Sequence, residues 1–175
     1  MSLGLPRGNV QLAPYDTEWK SQFEREAVLL RSTLGDRVLR VEHIGSTSVR
    51  GMIAKPIDLM CVVSNGVSTA LPQQLERLGY EYRANGSTHD RLFFAKGPHD
   101  CRTHYLSITE LDSQFYKEKL AFRDYLRAHP DAVHKYCRLK QQLAARFASD
   151  RASYTEGKRG FVDEILALCA NCSQE

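Results

Sequence analysis

With 175 residues, 42% of them apolar and 26% charged, the chain is long enough for one domain with a proper hydrophobic core and too short for two comfortable ones. A formal net charge of +3 is too mild to argue for a nucleic-acid or membrane partner. No run approaches the roughly 18 apolar residues of a membrane span, and the opening MSLGLPRGNVQ lacks the apolar centre of a signal peptide. Residues 1–8 read as a flexible N-terminus. Five cysteines, an odd number without an export signal, fit a reducing cytoplasm. Cys169 and Cys172 form one C-x-x-C, but no second pair completes a zinc site, so they read as plain thiols.

In chain order, YDTEWKSQFEREAVLLRSTLG predicts the first helix. Trp19, Phe23, Ala27, Leu30 and Leu34 recur at spacings of three and four and share one face. Asp16 or Thr17 can cap its start and Gly35 can close it. RVLRVEHI predicts a strand ending at Gly45. IDLMCVV predicts a second, apolar enough to be buried on both faces. PQQLERLG predicts a short helix with Leu71, Leu75 and Leu78 inward. YEYR, RLFFAK and THYLSIT predict three further strands, joined by ANGSTHD and GPHDC, which carry turn residues. From about Ser113 the periodicity is helical: Phe115, Phe122 and Leu126 share a face, HPDAVHKYCRLKQQLAARFASD starts with Pro130 in the first turn, and FVDEILALC closes the chain. A helix, a mixed sheet and a helical C-terminal segment describe one α+β domain.

The segment HIGSTSVRGMIAKPIDLM, residues 43–60, carries the chemistry. A glycine at a strand end permits a sharp turn and close backbone approach to a ligand. Ser46, Thr47 and Ser48 add hydroxyls. Together they suit a phosphate cradle, or a tight turn whose hydroxyls cap it. The phosphate-binding pattern G-x-x-x-x-G-K-[ST] is not met, because Arg50 stands where it needs glycine and Met52 follows Gly51. Asp58 sits among apolar residues. A carboxylate buried there needs a cation, a metal or several donors, or an exposed strand end. Lys55 is the nearest balancing charge in sequence, and a structural Asp–Lys or Asp–Arg pair is the bland alternative.

VEHIGSTSVRGMIAKPIDLMCVV resembles the GrpB family, whose members show H-[IV]-G-S-T-[AS]-V-P-G-x-x-A-K-P-I-[IV]-D. RLFFAKGPHDCRTHYLSI, FRDYLRAHPDAVHKYCRLKQQLA and YTEGKRGFVDEIL extend the resemblance over about residues 9–170, read as a single domain. It implies a nucleotidyltransferase-like fold: a mixed β-sheet with packed helices. In that superfamily a Gly-Ser turn leaves one strand and carboxylates on the next hold Mg²⁺ for attack on a nucleotide phosphate. A similar domain occurs fused to dephospho-CoA kinase in some bacteria. Two departures stand out. The superfamily's D-x-[DE] is here Asp58-Leu59-Met60, without a second carboxylate; Glu42 and Glu110 are the nearest in sequence. KPID is also one residue shorter than the family's KPIID, a shift that reverses the face of Asp58 unless a bulge or loop absorbs it.

The resemblance and the residue types together give these expectations. Asp58 and His104 are the catalytic candidates. Gly45, Ser46, Thr47, Lys55, Arg91, Arg102, Lys140, Tyr154 and Lys158 are the candidates for phosphate or nucleotide binding. Asp58 is the candidate ligand for Mg²⁺, and His43 a further metal ligand. All are expected in one basic, hydroxyl-rich pocket, which suits an anionic small molecule such as a nucleotide or phosphorylated metabolite. The implied activity is that of a nucleotidyltransferase-like enzyme; the alternative is a catalytically silent binding or folding-assistance module.

Overall fold

The computed structural model describes residues 10–54, 56–64 and 71–172. Five strands form one mixed sheet: β1 (Val38–Ile44), β2 (Ile57–Val63), β3 (Tyr80–Tyr82), β4 (Leu92–Lys96) and β5 (His104–Glu110). Their spatial order is β1-β2-β5-β4-β3, and every neighbouring pair is antiparallel except β2 and β5. The helices are α1 (Glu18–Leu34), α2 (Leu71–Arg77), α3 (Gln114–Ala128), α4 (Pro130–Arg146), α5 (Arg151–Glu156) and α6 (Arg159–Cys172). The expected α+β architecture is therefore present, and the predicted strands appear in the predicted order. No described helix is long and apolar enough to cross a membrane.

The sheet lies between two helical layers. On one face, Trp19, Ala27, Leu30 and Leu34 of α1 and Leu75 of α2 meet Val41, Ile57, Leu59, Cys61, Val63, Leu106 and Ile108. On the other, α3 sets Phe115, Tyr116 and Leu120 against Ile44, Met60 and Val62. β2 is covered on both sides and Asp58 is its one residue that is not fully buried, which explains the near-continuous apolar run. α4 and α6 join α3 in a third cluster, where Leu126, Val133, Tyr136 and Ile165 enclose Val49 and Met52.

Local chemistry accounts for the element ends. Asp16 Oδ1 accepts the Glu18 N–H at 2.9 Å, and Gly35 closes α1 at φ +61°. Ser113 Oγ accepts the Tyr116 N–H and caps α3. One boundary differs from expectation. The segment read as a single helix from Pro130 to Asp150 ends at Arg146, and Asp150 caps the separate α5 by accepting the Ser153 N–H at 3.0 Å and the Ser153 hydroxyl at 2.6 Å. That aspartate reads as helix interior in a periodicity count, but its side chain competes for backbone donors.

A buried ion pair ties α1 to the sheet. Lys96 Nζ donates to both carboxylate oxygens of Glu26, at 2.7 and 3.0 Å, and lies over the Tyr80 ring. Glu26 is 5% exposed. Lys96→Met is expected to cost about 3 kcal/mol in urea unfolding, because it strands a buried charge. Lys96→Met with Glu26→Gln is expected to recover most of that loss; a double variant no better than the single one would contradict the pairing.

Candidate functional site

The turn after β1 is made by glycine. Gly45 has φ +66° and ψ −171°, a region that residues with a Cβ essentially do not occupy. Space imposes the same choice: a Cβ built on Gly45 would lie 2.9 Å from Asp58 Cβ and closer still to its Oδ2. The register pairs Ile44 with Asp58 and Asp58 with Tyr105, so the carboxyl rises from β2 against the bend, on the face covered by α3.

The three hydroxyls of the turn have different duties. Ser48 Oγ donates to Gly45 O at 2.6 Å and closes the turn. Thr47 is buried and its Oγ1 lies 2.9 Å from His43 Nε2. Ser46 Oγ alone meets a cation, accepting from Lys140 Nζ at 3.0 Å. Cations from the C-terminal half grip the backbone of this turn: Arg127 donates twice to Ser48 O, at 3.0 and 3.1 Å, Arg123 donates to His43 O at 3.2 Å, and Lys140 to Ile53 O.

Asp58 faces Lys158, Lys119, Arg151 and Lys140, which come from the α5–α6 junction, α3, α5 and α4. Burial pushes its carboxyl up to about 6, and those four cations hold it back from a larger shift. None of these four cations reaches salt-bridge distance of Asp58. Lys140 is 3% exposed. Burial brings its ammonium down to about 8, with Asp58 acting in the other direction. Burial also lowers Lys158 and Lys119. Arg91, stacked over Phe93 and Phe115 at 5.0 and 4.8 Å, adds a further charge felt by Asp58.

A cleft of about 500 Å³ borders this cluster. Pro56, Tyr105, Arg151 and Tyr154 form its near end, and Phe93, Arg83 and Arg102 continue it across the sheet. Arg151 Nη2 donates to the Tyr105 hydroxyl at 2.9 Å, and Lys158 Nζ lies 4.5 Å from the Tyr154 ring centre. Asp58 and the cleft are thus neighbours, joined through Tyr105, Arg151 and Tyr154.

A sequence model described as GrpB protein matches residues 9–168. The chain belongs to the GrpB family. It is 34% identical to the glutamate-rich protein GrpB of Alkalihalophilus pseudofirmus, over 94% of this chain and 98% of that one. A dephospho-CoA kinase of Mycolicibacterium paratuberculosis matches at 27% identity, over 88% of this chain and 44% of its own length. The crystal structure of GrpB from Enterococcus faecalis superposes with a TM-score of 0.85 at 37% identity, covering 94% of this chain and all of that one.

In the structure Gly45, Ser46, Asp58, Arg91, Lys140, Tyr154 and Lys158 lie near one another, and Arg102 lines the neighbouring cleft. Lys55 lies outside the described residues, as does the side chain of Cys172; Cys169 Sγ faces Ala121 O. The expectation of one shared pocket is corrected for both histidines. His43 pairs with Leu59 and His104 with Ile57, one residue out of phase with Asp58, so both belong to the α1 face. His43 stacks on Phe23 at 4.6 Å, and burial with Arg127 and Arg123 lowers it to about 4. His104 Nδ1 lies 2.9 Å from Thr103 Oγ1, and burial lowers it as well. Thr47 lies in the turn, 3% exposed, with its hydroxyl against His43 Nε2. Sequence reasoning missed Lys119 and Arg151. Lys119 lies one turn after Phe115 on α3, the only signal it carried; Arg151 follows the helix break at Asp150.

The residues present do not fit a resident Mg²⁺. Among the described residues no three of His, Cys, Asp and Glu converge. Glu42 is held by Arg123 at 2.7 Å, and Glu110 pairs with Val63 at the far end of the β2/β5 ladder from Asp58. A lone carboxylate among cations favours an anion over a cation.

Two stability measurements follow. Gly45→Ala is expected to cost about 3 kcal/mol, from backbone strain and the clash with Asp58. The raised Asp58 carboxyl opposes folding once ionised, so its penalty is absent below about pH 4, grows as pH rises towards about 6 and is complete above it. Asp58→Asn is therefore expected to match the parent near pH 4 and to exceed it above pH 7 by on the order of 2 kcal/mol. Equal stability at both ends, or a loss at high pH, would contradict this environment.

Proposed function

We propose that the chain is a nucleotidyltransferase-like enzyme acting on a nucleotide or another phosphorylated small molecule. The supporting observation is the single carboxylate Asp58, held near neutrality in its affinity for protons and ringed by Lys119, Lys140, Lys158 and Arg151 beside a cleft with aromatic walls. Phosphate oxygens would take the place between Asp58 and the cations, forming charge-assisted hydrogen bonds of roughly 1.5–3 kcal/mol each. The organic part of the ligand would lie along Phe93 and Tyr105.

In this reading Asp58 is a general base. It accepts the proton of an attacking hydroxyl as the oxygen–phosphorus bond forms and the bond to the leaving phosphate breaks, and the lysines balance the charge on the phosphoryl and leaving oxygens. A base with a proton affinity near the working pH is suited to this step. Among the described residues Asp58 is the one carboxylate facing these four cations. A cytoplasmic location belongs to the proposal, since phosphorylated metabolites are found there.

A second reading, a catalytically silent anion-binding or accessory module, is favoured because no metal-ligating cluster forms around Asp58 among the described residues. Relatives named dephospho-CoA kinase, of which this chain spans 44%, agree with an accessory role.

Calorimetric titration with ATP and with inorganic phosphate, with and without Mg²⁺, tests both. Asp58→Asn is expected to bind phosphate about tenfold more tightly, because a like charge is removed, and Lys158→Glu to lose binding. Turnover on hydroxyl acceptors that falls by about 10²-fold or more in Asp58→Asn supports the enzyme. Binding without turnover supports the silent module, and no binding of either compound overturns both readings.

A further inference from the structure

The cleft reaches past the Asp58 cluster to a second group of cations. The register places Tyr105 opposite Asp58, Ala95 opposite Tyr105 and Glu81 opposite Ala95. The trough therefore runs across the strands from β2 to β3, about 14 Å at the usual strand spacing. Its middle is aromatic: the Phe93 and Tyr105 rings are 5.3 Å apart, and Gly86 lies so close to Phe93 that a side chain there would collide with the ring.

The far end is cationic in a specific way. Arg83 and Arg102 both line the cleft, and both are paired with one carboxylate, Glu81, which is outside the lining. Arg83 Nη1 is 2.7 Å from Glu81 Oε1, and Arg102 bonds the other oxygen. Arg102 also donates to Gly97 O at 2.8 Å, and its side chain is only 13% exposed while that of Glu81 is 48% exposed. Two guanidinium groups on Glu81 exceed it by one positive charge and are pre-oriented by Glu81 and Gly97, with Asp100 a further carboxylate in the cleft lining. Planar forks held this way match a phosphate bidentately.

We infer that the cleft takes a ligand anionic at both ends, a nucleoside bearing phosphates on two separate oxygens, one towards Arg151 and Lys158 and the other on Arg83 and Arg102. This rests on the anion-binding reading above and adds a second phosphate subsite to it. The aromatic middle carries the nucleoside, and Glu81 competes with the second phosphate for the two arginines.

The test is calorimetric titration of the full chain with adenosine 5′-monophosphate and with adenosine 3′,5′-bisphosphate. The bisphosphate is expected to bind roughly tenfold more tightly or better, as one or two charge-assisted hydrogen bonds imply. Arg83→Gln with Arg102→Gln is expected to remove that advantage, so that the bisphosphate binds no more tightly than the monophosphate. Should the loss of the Gly97 contact unfold that variant, Arg83→Gln alone is expected to reduce the advantage. Glu81→Gln is expected to enlarge it, a gain that a merely structural role for the trio would not give. Equal affinity for the two compounds, or an advantage that none of these variants moves, overturns the second subsite and leaves the first intact. If neither compound binds, the reading of the first subsite falls as well.

Discussion

Gly45 backs onto the Asp58 carboxyl with no room for a Cβ between them, and the rest of the candidate site is arranged around that contact. The bend must be glycine both for its backbone angles and for its neighbour. By turning there, the chain opens the space in which an ionisable group can sit in a sheet otherwise closed on both sides. The turn is held from outside its own segment: Arg123 and Arg127 of α3 and Lys140 of α4 bond its carbonyls or hydroxyl. The C-terminal helices are thus part of the site's frame as well as the source of its charges.

Those charges explain the direction of the chemistry. A carboxylate in a low-polarity setting resists ionisation, and nearby cations favour it. Here burial prevails although four cations oppose it, and none of those four is close enough to form an ion pair. The lysines show the reverse compromise, losing basicity to burial while Asp58 restores some of it. The cations keep other partners, Lys140 on Ser46 and Ile53 and Arg151 on Tyr105, and none of the four pairs directly with Asp58. Such a cost of burial is common where a ligand completes the charge balance, and an anion among the lysines would do so without a second acidic residue.

Much of the fold was legible in the residues themselves. The apolar run IDLMCVV is β2 to the residue, because a strand covered on both faces needs an uninterrupted apolar pattern. The α1 stripe from Trp19 to Leu34 lies in the core for the same elementary reason. The site was legible where the sequence forced a compromise: a glycine at a strand end, and an aspartate inside an apolar run. It was not legible where facing decides. His43 and His104 share the chemistry of Asp58's neighbours, yet alternation along the strands carries both to the α1 face. Lys119 and Arg151 carried no local anomaly, since exposed-looking helical cations are ordinary; only tertiary packing brings them to Asp58. The missed break at Asp150 had the same origin, a capping preference overridden in the reading by apolar periodicity.

The most direct test of a lone carboxylate facing a cationic recess is the titration of Asp58 itself, followed through its side-chain carboxyl carbon by NMR with and without saturating inorganic phosphate. The account predicts a midpoint of about 6 in the free protein and a further rise with phosphate, because a bound anion disfavours the ionised form. A midpoint near the ordinary aspartate value of about 3.9, unmoved by phosphate, would contradict it.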